Sequence, residues 1–285
     1  MLNWIMQYNY ILMISFNIFS LIFLVSNLIN NPSLEANTIS KQDFQTLLNI
    51  IKTLDQVHQK QIKEQPISFI QELKPLLEAE ENNLLILVNK KIPIPKGYNP
   101  TDLVYLKNFK ELKNIGKENL KLRKILINDL IDLINAGKKN GLQIKIISAY
   151  RTKEYQNFLF KYNVKTYGIK SAQIQSAISN HSQHQLGTTI DFINTDDNLL
   201  NTKEGKWLYE NSSKYGFSLS YPKKHEKETG YKAEPWHYMY IGKQACALQK
   251  KYFNNLQYKF LEFWNNNKKE LLKLIQKYKI NINYP

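Results

Sequence analysis

Two segments far apart in the sequence each carry a histidine in acidic company, and any fold of this chain has to bring them into account. The first reads Ser182-Gln183-His184-Gln185-Leu186-Gly187-Thr188-Thr189-Ile190-Asp191, and the second reads Glu234-Pro235-Trp236-His237. Neither would carry weight alone. Together they supply two imidazoles and a carboxylate in a chain that has only five histidines. A catalytic zinc site takes three protein N/O ligands and keeps a fourth position open, and this donor set fits that count. His184, Asp191 and His237 are therefore the candidate ligands for one zinc ion per chain.

Convergence requires a particular local build. Gly187 permits a tight turn after His184, and the strand-like run that follows carries Asp191 back beside it. The third ligand comes from a second strand over residues 236–241 that crosses the same place. Pro235 pushes Glu234 toward extended backbone. A regular strand would put Glu234 and His237 on opposite faces. The proline is thus expected at a turn or strand start that lets both side chains reach one point, with Trp236 directed into the core. The other histidines read as structural: His58 sits in a helical pattern, His225 in a charged loop, and His181 beside the first segment.

The rest of the chain reads as α+β. Apolar residues at helical spacing run through residues 39–64, and 67–80 is helical with Pro75 as a break. Leu84 to Val88 is a short apolar run suited to a strand, followed by Pro93, Pro95, Gly97 and Pro100 as loop signals. A helix is expected over 112–136 with Gly141 as its stop, a strand over 144–150, a short helix over 153–162 and strands over 188–193 and 236–241. Residues 245–279 read as one long amphipathic helix or a pair. Strands and helices do not alternate regularly, which disfavours a doubly wound parallel sheet.

At the N-terminus, Ile11 to Ile29 has no charged residue and the length of a membrane anchor or a long signal core. No Lys or Arg precedes it, and the first positive charge is Lys41. The expectation is an uncleaved anchor with the remainder in the cell envelope, outside the cytoplasm, or a secreted chain if the segment is cleaved. The resulting division is a membrane segment at 1–31, a helical stalk at 32–81, a zinc domain at 82–245 and a C-terminal helical extension at 246–285.

Composition narrows the classes further. The single cysteine, Cys246, excludes an intrachain disulfide and a zinc site built from several thiolates. The net charge of +15 could suit an anionic partner, but the lysines are spread along the whole chain and arginine is nearly absent. A compositional bias toward Asn, Ile and Lys accounts for that spread. A nucleic-acid binder would need clustered Arg and aromatic platforms, so no nucleic acid is expected as partner.

These motifs resemble those of the VanY-type D-alanyl-D-alanine carboxypeptidases of the LAS peptidase group. That group carries S-x-H-x-x-G-x-A-x-D followed by E-x-W-H. Here Ser182, His184, Gly187, Asp191, Glu234, Trp236 and His237 meet it, with Thr189 where alanine is usual. The family's S-G-Y-R-S-x-x-x-Q is matched by Ser148-Ala149-Tyr150-Arg151-Thr152 leading to Gln156. Ser179-Asn180 replaces a usual Pro-Gly pair, and Ser220 a usual basic residue before Tyr221-Pro222. Further similarity spans about residues 82 to 245.

The resemblance implies a small antiparallel sheet flanked by helices, with zinc in a cleft above it, and a peptidoglycan stem peptide as substrate. It implies that Glu234 is the base that shuttles a proton to the leaving amine and that Arg151 donates to the carbonyl oxygen as it gains charge. Gln156, Ser182 and Tyr221 would line the peptide site. The same constellation serves LD-carboxypeptidases, stem-peptide endopeptidases and D-Ala-D-Ala dipeptidases, so the bond cut stays open at this level. A non-catalytic zinc-stabilised wall-binding module is the remaining alternative; retention of Glu234 and Arg151 argues against it, since a structural zinc needs neither.

Overall fold

The computed structural model describes residues 38–278. The apolar run Ile11 to Ile29 lies outside them, and among the described residues no helix is long and apolar enough to cross a membrane. In chain order the elements are α1 (Lys41–Ile51), α2 (Gln56–Glu64), α3 (Pro66–Glu72), α4 (Leu76–Glu81), β1 (Leu103–Tyr105), β2 (Lys121–Arg123), α5 (Ile127–Lys139), β3 (Ile146–Ser148), α6 (Lys153–Tyr167) and α7 (Ile169–Gln175). Then follow β4 (Thr189–Phe192), α8 (Lys203–Asn211), β5 (Phe217–Leu219), α9 (Glu226–Thr229), β6 (His237–Tyr240), α10 (Lys243–Tyr252) and α11 (Gln257–Lys277).

The centre is a four-stranded antiparallel sheet in the order β3-β4-β6-β5, with β1 and β2 as a separate antiparallel pair. Alternation divides β4 and β6 between two faces. Ile190, Phe192, Tyr238 and Tyr240 share one face, where Phe192 meets Phe217 and Tyr238 edge to face. Thr189, Asp191, His237 and Met239 share the other. All of these side chains are buried, so the sheet is covered on both sides.

Helices supply the covers, and their ends follow local chemistry. Ser40 caps α1 by accepting from the Asp43 N–H, and Asp55 caps α2 in the same way from His58, which divides the expected 39–64 helix in two. Pro75 separates α3 from α4 as its ring requires. The four N-terminal helices, expected as a stalk, contribute Leu47, Ile51, Ile62, Phe69, Ile70 and Leu76 to the same apolar core as the sheet and α11. Their carboxylates are tied to the C-terminal pair: Asp43 to Lys277 and Tyr278, Glu72 to Lys251 and Tyr252, and Glu80 to Trp264 and Lys268.

Three further expectations differ from the structure. Leu84 to Val88 forms no strand: Leu84 and Leu85 lie in the turn after α4, Leu84, Leu85, Leu87 and Val88 are buried, and Asn265 of α11 donates to the Leu85 carbonyl at 2.8 Å. The helix expected from Leu112 begins only at Ile127, because Lys121–Arg123 pairs with β1 and buries Leu122 through a period of two. β5, for which the sequence pattern gives no strand, forms the sheet edge beside β6.

Candidate metal centre

Strand register does most of the assembly. β4 and β6 pair antiparallel with Asp191 directly opposite His237, so the two side chains rise from one face as near neighbours. On its other side Asp191 faces Ser148 of β3, three residues before Arg151. His184 arrives from a 3-10 turn, Gln183–Leu186, that immediately precedes β4. Gly187 closes that turn at φ +75, its N–H reaching the His184 carbonyl at 3.3 Å. A Cβ there would come within 2.9 Å of Arg123 Cγ, so both backbone conformation and space call for glycine.

The second motif turns as the proline demands. The His237 N–H donates to the Glu234 carbonyl at 3.1 Å, a tight turn that opens β6. It brings Glu234 Oε2 to 3.2 Å from His237 Nδ1. Trp236 does not enter the core; it is half-buried and lines the cleft with the ligands. The turn, rather than a regular strand, sets its direction.

His184, Asp191 and His237 are all buried, and their ligand atoms lie within 4.8 Å of one another. Their hydrogen bonds say which atoms face inward. His184 Nδ1 is 2.8 Å from the Ala149 carbonyl, which can only accept, so Nδ1 holds the proton and Nε2 carries the lone pair. That Nε2 lies 3.2 Å from Asp191 Oδ2. His237 presents Nδ1 to Asp191 Oδ1 at 3.2 Å and turns Nε2 to Gln183 Oε1 at 3.0 Å. Asp191 Oδ1 is buried and has no hydrogen-bond partner. A buried carboxylate oxygen without a donor is costly. Here it shares one space with two imidazole nitrogens, which is the arrangement a divalent cation satisfies.

The electrostatics agree. Burial, with the Arg151 guanidinium nearby, lowers the His184 imidazole to about 4 and keeps it neutral. Burial opposes charge on His237 as well, but the adjoining Asp191 and Glu234 carboxylates outweigh it and lift that imidazole to about 9. Burial would raise the Asp191 carboxyl; the two imidazoles overcome this and hold it well below the usual carboxylate range. The site is thus an anionic pocket that attracts positive charge at His237 Nδ1.

All eight residues singled out from the sequence line one open cleft of about 820 Å³. Arg151 Nη2 donates to Asp191 Oδ2 at 3.0 Å and to Ser148 Oγ at 2.9 Å. Gln156 is buried beside it, accepting from Arg151 at 3.4 Å and donating to the Ala177 carbonyl at 2.7 Å. Ser182 forms buried wall. Tyr221 packs its ring 4.8 Å from that of His237, and its carbonyl accepts from the Glu234 N–H at 2.9 Å.

Two participants were not singled out from the sequence. Gln183 is the "x" of S-x-H, and motif spacing gives no sign that it holds His237. Tyr231 lies on the cleft wall against Tyr221, its hydroxyl buried without a partner; Thr229-Gly230-Tyr231 belongs to the family resemblance, which gives it no role in the site.

Comparisons with known proteins place this geometry. A family model described as D-alanyl-D-alanine carboxypeptidase (VanY) matches residues 119–243. YodJ of Bacillus subtilis (strain 168) is 35% identical over 181 residues, covering 60% of this chain and 66% of YodJ. A D-alanyl-D-alanine carboxypeptidase of Enterococcus faecium is 30% identical over 170 residues, covering 58% of this chain and 54% of that protein. The chain therefore spans less than two thirds of these curated relatives. Among solved structures, the LdcB LD-carboxypeptidase matches with a TM-score of 0.55 and 33% identity over 63% of this chain and 86% of LdcB. A variant of the D,D-pentapeptidase VanY from a VanB-type vancomycin-resistance cassette, in complex with Zn(II), matches with a TM-score of 0.52 and 30% identity over 62% of this chain and 98% of that one.

Proposed function

Because the chain belongs to the VanY family of D-alanyl-D-alanine carboxypeptidases, we propose that it is a zinc-dependent carboxypeptidase that removes the terminal D-alanine from peptidoglycan stem peptides. The observation that carries the reading is the buried His184–Asp191–His237 set with Glu234 and Arg151 beside it in one open cleft. A zinc ion that only held the fold would need the first three residues and neither of the others.

Zinc held by these three residues supplies a Lewis acid that polarises oxygen and acidifies water. The chain's own groups do the rest. Glu234, on the turn that opens β6, accepts a proton from the attacking water and returns it to the amine that leaves. Arg151 offers N–H donors to the carbonyl oxygen as it takes on charge, and its bond to Asp191 keeps the guanidinium aimed along the cleft. Gln156, Ser182 and Tyr221 form the wall against which the terminal residue sits. The bond broken is the C–N amide; the products are a shortened peptide carboxylate and free alanine.

The catalytic body works outside the cytoplasm, held by the run Ile11 to Ile29 as a membrane anchor. The support is that run's length and lack of charge and the location of wall peptides. Likeness to LdcB favours trimming of a tetrapeptide as the second reading.

The test incubates the full chain with defined tetra- and pentapeptide stems, with and without a chelator, beside Glu234→Ala, and reads products by mass. Loss of one alanine from the pentapeptide is expected, abolished by chelation and slowed about 10²- to 10⁴-fold by the substitution. Trimming of the tetrapeptide alone would move the reading to the LD-carboxypeptidase. Zinc binding with no peptide cut would leave a binding module.

A further inference from the structure

Behind the metal centre runs a buried chain of side-chain amides. His237 Nε2 is 3.0 Å from Gln183 Oε1; Gln183 Nε2 donates to Gln257 Oε1 at 3.2 Å; Gln257 Nε2 donates to the Ser218 backbone carbonyl at 3.1 Å. Gln183 and Gln257 are 5% and 1% exposed, so water does not compete for these bonds. Gln257 opens α11, beyond the segment matched by the family model.

The order of donors along this chain follows from one fixed end. A backbone carbonyl can only accept, so the end of Gln257 that meets Ser218 has to be its NH₂. Its other end is then the carbonyl oxygen, which requires Gln183 to present NH₂. Gln183 is left with its oxygen toward His237, and that oxygen requires a proton on Nε2. Nδ1, the nitrogen that faces Asp191 and Glu234, is thereby the one free to bind a cation. The ambiguity of an amide, whose two ends look alike, is removed at each step by the step behind it.

We propose that Gln257 is a positioning residue of the metal centre: acting through Gln183, the C-terminal helix α11 dictates which ring nitrogen His237 offers to the metal. The inference rests on the zinc reading above. It makes α11 a part of the catalytic unit rather than an appendage. A second glutamine provides the internal control. Gln249 of α10 is also 1% exposed and accepts from the Ser218 hydroxyl at 2.7 Å. It shares the burial and the location but lies off the path that orients His237.

The experiment measures zinc affinity by chelator competition in the full chain for wild type, Gln257→Met and Gln249→Met, with thermal unfolding recorded for each. Gln257→Met is expected to bind zinc about 10- to 100-fold more weakly, the usual effect of losing a partner of a metal ligand, while Gln249→Met binds as wild type. Equal affinity in Gln257→Met and wild type, or an equal loss in both variants, overturns the inference. A direct readout needs no variant: in the zinc-loaded wild type, ¹⁵N-detected NMR of the histidine rings should show the proton of His237 on Nε2 as a slowly exchanging signal. A proton on Nδ1 overturns the inference even if Gln257→Met does not fold. A wild-type chain that binds no zinc at all overturns the zinc reading itself, a result separate from both.

Discussion

At the scale of single residues, a proton and a cation compete for one nitrogen. Without metal, His237 is lifted to about 9 by Asp191 and Glu234 against its burial, while burial lowers His184 to about 4. Below about pH 9 the His237 imidazole is protonated, so a metal that takes Nδ1 has to displace that proton; His184 is already neutral and displaces none. Zinc affinity should therefore rise about tenfold per pH unit between pH 6 and 8.5 and flatten toward 9, with about one proton released per zinc bound. Chelator competition across that range, paired with calorimetry in buffers of different ionisation enthalpy, measures both quantities. An affinity independent of pH between 6.5 and 8.5 would contradict the assignment of Nδ1 as the competing site. The same scale shows what motif reading can reach. The convergence of His184, Asp191, Glu234 and His237 was legible because metal and acid–base chemistry restrict residue type and spacing. Gln183 was not, because its role depends on which side chain stands behind it, and that side chain comes from a helix far along the chain.

Elements succeed or fail on partners. The strand pair β4–β6 was readable because its β-rich runs carry the motifs, and its register sets Asp191 opposite His237. By contrast, Leu120 and Leu122 fit a helical stripe as well as a strand, and only the presence of β1 decides for β2. Leu84 to Val88 has strand composition yet packs under α11 with no strand beside it. The N-terminal helices show the same dependence in reverse. Their amphipathic pattern was clear, but nothing local says that they close onto α10 and α11. Trp264 is the hinge of that closure: it is fully buried and its indole N–H donates to Glu80 of α4 at 2.7 Å. Trp264→Ala should lower stability by about 3–5 kcal/mol, through the cavity and the lost indole donor to Glu80, which keeps only its Lys268 partner. Denaturant unfolding reads this as a shift in midpoint. A loss below about 1 kcal/mol would mean that the N-terminal helices rest on the body without sharing its core.

For the whole molecule, the decisive question is where the catalytic unit ends. The family similarity stops near residue 243, and a division at 245 follows the motifs. The packing does not stop there. Phe260, Leu261, Phe263, Trp264, Leu271, Leu274 and Ile275 of α11 are buried in one core with Leu47, Leu85, Leu122 and Tyr238. Each such side chain contributes about 1.5–3 kcal/mol by leaving water, against a total stability of about 5–15 kcal/mol for a protein. Removing α11 also takes away Gln257, and with it the fixed end of the amide chain behind His237. A fragment of residues 82–245 is therefore expected to show no cooperative thermal transition and to bind zinc weakly or not at all, whereas residues 38–278 should retain both properties. Circular dichroism melting with and without added zinc distinguishes the outcomes. A sharp transition in the short fragment, raised by zinc as in the long one, would show that the metal centre is self-sufficient and that the helices around it serve some other end.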